Sequence, residues 1–215
     1  MNRYELKMRA KEALHGKWII AVAVTIIALI LNNIHLSTGT SIFRFSSGWM
    51  TNLRVLSPLS SASSSISSLI NFILSGPVAL GIAFFYLNLL REDEARVESL
   101  FHGFKRFLDA LISHILITIF TFLWFLLLIV PGIIAGLSYS MTYYILIDHP
   151  ELSPIEAIRL SKELMNGHKG ELFILWLSFI GWFFLGIITF GIGLLYAIPY
   201  FNTTLAEFYL NIKGE

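Results

Sequence analysis

Four polar side chains stand inside otherwise apolar runs of this sequence: His114, Tyr143, Asn202 and Glu207. A group of this kind is costly to desolvate, so it is a functional candidate by default. His114 offers an imidazole for proton transfer or metal ligation, although a bond to a neighbouring helix would explain it equally well. Glu207 is the one candidate acid for ion coupling, and it lies near enough to the end of its run to pair with a Lys or Arg instead. Asn202, with Thr203 and Thr204, follows Pro199, where a kink would free backbone carbonyls for a ligand. Tyr143, with Tyr139, Ser140 and Tyr144, could line a groove, or pack and anchor at an interface.

No catalytic constellation accompanies them. The sequence has no G-x-S-x-G, H-E-x-x-H, P-loop or G-x-G-x-x-G pattern. It has no cysteine, which excludes disulfides, thiol catalysis and Cys-ligated metal. Asp148 and His149 are adjacent, a spacing that seldom aims two side chains at one point, and Pro150 marks a turn there. We therefore expect no catalytic residue, no cofactor and no metal.

The elements that hold these residues are read from composition. The chain has 215 residues, 56% hydrophobic and 13% charged. A soluble domain carries about 25% charged residues. Several apolar runs reach the length of about 18 residues needed to cross a hydrocarbon core. The fold class expected is an all-α polytopic membrane protein, one membrane domain over 1–215, with six transmembrane helices. The spans are placed at about 18–34, 66–90, 107–129, 133–147, 171–188 and 192–210. Residues 1–17, 91–106 and 148–170 read as amphipathic surface helices with their connections. Residues 35–65, rich in Ser and Thr, read as an external loop. A kink is expected at Pro77, and a turn at Pro131-Gly132.

The charges orient this topology. With the N-terminus in the cytoplasm, thirteen of the fifteen basic residues fall on inner segments, and only Arg44 and Arg54 fall outside. That is the positive-inside pattern, with both termini cytoplasmic.

Three short strings recur where a surface helix meets a span: Leu14-His15-Gly16-Lys17, Phe101-His102-Gly103-Phe104-Lys105 and Met165-Asn166-Gly167-His168-Lys169. They suggest three repeats, each an amphipathic helix followed by a helical hairpin. Gly16, Gly103 and Gly167 are expected to end their helices in the left-handed conformation, with Gly167 the site most damaged by a Val. Ser153 and Glu156, with Pro154 between them, form a capping box at the start of the third surface helix.

Stretches across most of the chain outside the loop resemble the DUF975 family of bacterial integral membrane proteins, whose function is unknown. They are Ala10 to Trp18, Leu100 to Phe104, Val130 to Ala135, Ser153 to Lys169 and Ser178 to Trp182. The resemblance implies a bacterial cytoplasmic-membrane location and brings no active residues with it. Intact spans and few buried charges favour a non-enzymatic accessory or scaffold role in the cell envelope. The alternative is a carrier or flippase for a lipid or amphipathic small molecule. The expected partners are membrane lipids, with another membrane protein or a second copy of the chain beside them. Nucleic acid is not expected.

Overall fold

The structure, a computed structural model, describes residues 3–32, 58–91, 96–189 and 191–214. Among them there are helices and no strand. Helices suit a chain this apolar, because a helix pairs its backbone groups within one segment. The first elements are α1 (Arg3–Ala13), α2 (Trp18–Asn32) and α3 (Pro58–Arg91). A 3₁₀ turn, Val97–Phe101, leads into α4 (His102–Lys105) and α5 (Phe107–Leu127). Next come α6 (Ile129–Tyr139), α7 (Thr142–Asp148) and α8 (Pro154–Leu164), then α9 (Lys169–Leu177), α10 (Ile180–Ile188) and α11 (Ile192–Lys213).

Four stretches are long and apolar enough to cross a membrane: Ser68–Arg91, Phe107–Leu127, Ile129–Asp148 and Lys169–Gly186. A fifth arises if α1 and α2, bent by 96° to each other, count as one broken span. Among the described residues the count is therefore four or five, where the apolar runs led us to expect six. Within the described residues α2 has 15. α11 has 22, but its polar stretch Asn202-Thr203-Thr204 and Glu207 reduce its apolarity.

The turn expected at Pro131-Gly132 lies earlier. Leu128 is extended, with φ −163° and ψ 153°, and α6 begins at the next residue. Pro131 sits in the first turn of α6, where a missing N–H costs no helical bond. Gly132 is helical and closely packed, since a Cβ there would lie 2.6 Å from Cδ1 of Phe125. Moving the turn also lengthens the following span to 20 residues, counting both α6 and α7.

Other expectations are met or shifted locally. α3 remains one helix through Gly76-Pro77. It begins at Pro58, so residues 58–65 of the expected loop are helical; residues 33–57 lie outside the described residues. Ser153 and Glu156 make the capping box: Glu156 N–H donates to Ser153 Oγ (3.4 Å), and Ser153 N–H donates to Glu156 Oε2 (2.9 Å). The Ser153 hydroxyl donates to the same carboxylate and holds it below the usual range.

Gly16 (φ 76°) and Gly167 (φ 88°) are left-handed with open space around them, as caps should be. Gly103 is not a cap. It lies within α4, pressed against the Pro77 carbonyl and 2.6 Å from Gly81 N when measured from an added Cβ. Glycine at this position serves a close approach of two backbones.

The helices pair as hairpins, α2 with α3, α5 with α6 and α10 with α11. The surface segments cross between hairpins. The 3₁₀ turn and α4 pack on α3, α8 on α6 and α7, and α1 on α11. α3 also touches α7 and α11. Phe85, Tyr86, Met141, Phe208 and Tyr209 are fully buried in the resulting core. Tyr144 stacks on Tyr209 with ring centres 5.2 Å apart.

Candidate functional site: a clasp of three helix ends

α7 ends at Asp148, because His149 leaves the helical region and Pro150 follows. α3 ends at Arg91, and the last turn of α11 holds Tyr209 and Lys213. These three ends meet on one carboxylate. Arg91 donates from Nη1 to Oδ1 (2.6 Å) and from Nη2 to Oδ2 (2.9 Å). Tyr209 OH and Lys213 Nζ each donate to Oδ2 at 2.7 Å. The Asp148 side chain is 5% exposed, against 29% for each cation. Four donors on two oxygens leave little lone-pair capacity for a proton or substrate. The chemistry of this cluster is cohesion.

Arg106 extends the clasp to α5. Its guanidinium donates to the carbonyls of Leu146 and Pro150 and to Asp109 Oδ2. The open carbonyls at the end of α7 are thereby satisfied by a cation, the sign the helix dipole favours there.

The four polar candidates do not form one site. His114 and Tyr143 do come together, with Nδ1 3.1 Å from the tyrosine oxygen. The imidazole also stands against Phe72, ring centres 5.0 Å apart. Asn202 turns back on its own helix and donates to Ile198 O (3.0 Å). Thr203 and Thr204 do the same to Pro199 O and Tyr200 O. The polar side chains that follow Pro199 are thus engaged within their own helix. Glu207 pairs with Arg9 at 3.2 Å, the kind of basic partner its position led us to expect. Two shallow grooves, of about 420 and about 400 Å³, are apolar and aromatic and hold none of His114, Asn202 and Glu207. Among the described residues no three His, Asp or Glu side chains converge on a point that could hold a metal.

The His114–Tyr143 contact has a measurable weight. Tyr143→Phe is expected to lower stability in detergent by about 1 kcal/mol, the net value of one hydrogen bond. A melting curve checks it; a loss as large as that from breaking the Asp148 cluster would show that the pair carries more than this bond.

The family model described as protein of unknown function (DUF975) matches residues 1–135 and 125–215 of this chain. The chain belongs to the DUF975 family. No curated protein and no solved structure matches it. The DUF975 match spans α1 to α11, so the clasp and the crossed packing of the surface segments lie within the family's own extent.

Sequence reasoning passed over Asp148 because its partners are 57, 61 and 65 residues away. A signal was present in the DUF975 chain. Phe85-Tyr86, Tyr143-Tyr144 and Phe208-Tyr209 each precede a charged helix end, at Arg91, Asp148 and Lys213. An aromatic pair followed by a charge within one to two turns marks each of the three ends that meet.

Proposed function

We propose that the protein is a non-enzymatic multi-pass membrane protein that acts as an accessory or scaffold component of the bacterial cell envelope. The observation that carries this reading is the Asp148 clasp. The best-placed buried carboxylate is fully engaged in joining three helix ends. Asn202, Thr203 and Thr204 bond within their own helix, His114 bonds to Tyr143 and Glu207 to Arg9, and the two grooves described above are apolar.

In this reading the chain crosses the cytoplasmic membrane six times, with α2 and α11 as the first and last spans and both termini inside. The positive-inside bias supports that orientation. It is built from three repeats, each a surface helix and a hairpin. The crossed packing supports the repeat, since α4, α8 and α1 each rest on the returning helix of a different hairpin. So does Phe85-Tyr86-Leu87-Asn88, which recurs as Phe208-Tyr209-Leu210-Asn211.

Reconstitution of the purified chain with a panel of lipid-scrambling and solute-uptake assays tests the function. A scaffold gives rates equal to empty vesicles; transport above that level sinks the proposal and favours a carrier or flippase. Single cysteines at Ser47, Ser99 and Ser161 test the topology. Only the one at position 47 should react with an impermeant thiol reagent in intact cells, and labelling at 99 or 161 overturns the orientation.

A further inference from the structure

We propose that Arg3 and Lys7 of α1, with the aromatic groove between α9–α10 and α11, bind one anionic glycerophospholipid, its phosphate on the two cations and an acyl chain in the groove. The proposal rests on the chain lying in a membrane and adds a ligand and a place for it.

The groove is lined by Phe173, Trp176, Leu177, Ile180, Phe183 and Phe201, and encloses about 400 Å³. That size and its nearly uninterrupted apolar wall suit a hydrocarbon chain. Phe201 meets the rings of Trp176 at 6.2 Å, Phe179 at 5.3 Å and Phe183 at 6.0 Å between centres. Phe179 in turn carries the Lys7 ammonium over its face, 4.3 Å from the ring centre. One buried ring therefore separates a cation from the groove. The same ammonium donates to Ser178 O at 3.3 Å, at the break between α9 and α10. Lys7 is thus held beside the groove by two contacts, neither of them anionic.

Arg3 lies one turn before Lys7 on the same helix, close enough for the two positive charges to interact. No carboxylate pairs with either among the described residues, whereas their neighbour Arg9 is neutralised by Glu207. Two like charges one turn apart, one of them held over an apolar ring, favour a counter-charge between them. A phosphodiester supplies it. A lipid with no compensating cation in its headgroup satisfies the pair best, while a choline headgroup would place a third positive charge beside them.

The test uses the full chain in detergent, titrated with phosphatidylglycerol or phosphatidylcholine whose acyl chains are brominated to quench tryptophan. Half-quenching by phosphatidylglycerol is expected at about a thirtyfold lower concentration, given about 1 kcal/mol for each of the two basic residues near an anionic headgroup. Lys7→Gln with Arg3→Gln should raise that concentration to the phosphatidylcholine value. Arg3→Gln alone, at an exposed position, should move it part of the way without any folding cost. Lys11→Gln should leave it unchanged. Trp176→Phe should remove the lipid-dependent difference, which places the chain in the groove. Glycerol phosphate, a headgroup without chains, should not relieve the quenching. Equal quenching by both lipids, indifference to Arg3→Gln and the double change, a difference that survives Trp176→Phe, or displacement by glycerol phosphate overturns the proposal. A chain that stays dispersed without detergent or membrane would instead overturn the reading beneath it.

Discussion

Asp148→Ala should destabilise the protein by about 3 kcal/mol, the lower end of the range for breaking a buried ion pair by removing one partner. The lower end applies because Arg91 and Lys213 are each 29% exposed and water recovers part of the loss. The change leaves two cations and the Tyr209 hydroxyl without their shared acceptor, at the point where α3, α7 and α11 meet. Asp148→Asn should fall between, since an amide oxygen still accepts from Arg91 but carries no charge. Asp109→Ala is the control. Its side chain is 38% exposed in its pair with Arg106, so it should cost less than about 1 kcal/mol. Denaturant titration in mixed micelles orders the three. If Asp148→Ala and Asp109→Ala cost the same, the clasp does not hold the helix ends.

Gly103→Val is expected to be worse than Gly16→Val or Gly167→Val. At positions 16 and 167 the added atoms meet nothing within 4 Å, and the loss is the left-handed strain alone, roughly 1–2 kcal/mol. At position 103 the Cβ runs into the Pro77 carbonyl and comes 2.6 Å from Gly81 N, and backbone on both sides cannot give way as a side chain would. Overpacking of this kind costs about 3 kcal/mol or more. Asparagine separates the causes. It should be mild at 16 and 167, where it tolerates the left-handed region, and as harmful as Val at 103. Melting temperatures for Ala, Asn and Val at each site decide it. An Ala at 103 that melts with the wild type would remove the close approach as the reason for that glycine.

These two sites also show where the sequence could be read and where it could not. The capping box at Ser153 and Glu156 was legible because both partners and their geometry lie within four residues. Gly16 and Gly167 were legible for the same reason, as ends of local periodicity. Gly103 stands in a nearly identical string, but a glycine serves a turn and a close contact equally, and its contact is with Pro77 and Gly81 in another helix. Pro131-Gly132 carries the commonest turn signal, yet a proline is also at home in a first helical turn. The turn falls at Leu128 instead. Apolar runs marked most of the spans but could not weigh the polar face of α11 against its length. Asp148 depended wholly on partners far along the chain. Its one close neighbour, His149, is bonded to Glu151 and takes no part.

The seating of α1 against α11 sets an order on biosynthesis. Tyr200 donates to Lys7 O and Arg9 pairs with Glu207, separations of 193 and 198 residues. At about 5–20 residues per second of translation, the first helix waits about 10–40 s for its partner to be made. Until then Leu6, Ala10 and Leu14, all buried in the finished protein, have no α11 to cover them. α11 thus closes over α1 long after α1 has left the ribosome. A chain released before α11 is made keeps the apolar stripe of α1 within reach of proteases and chaperones, whereas one that contains α11 withdraws it.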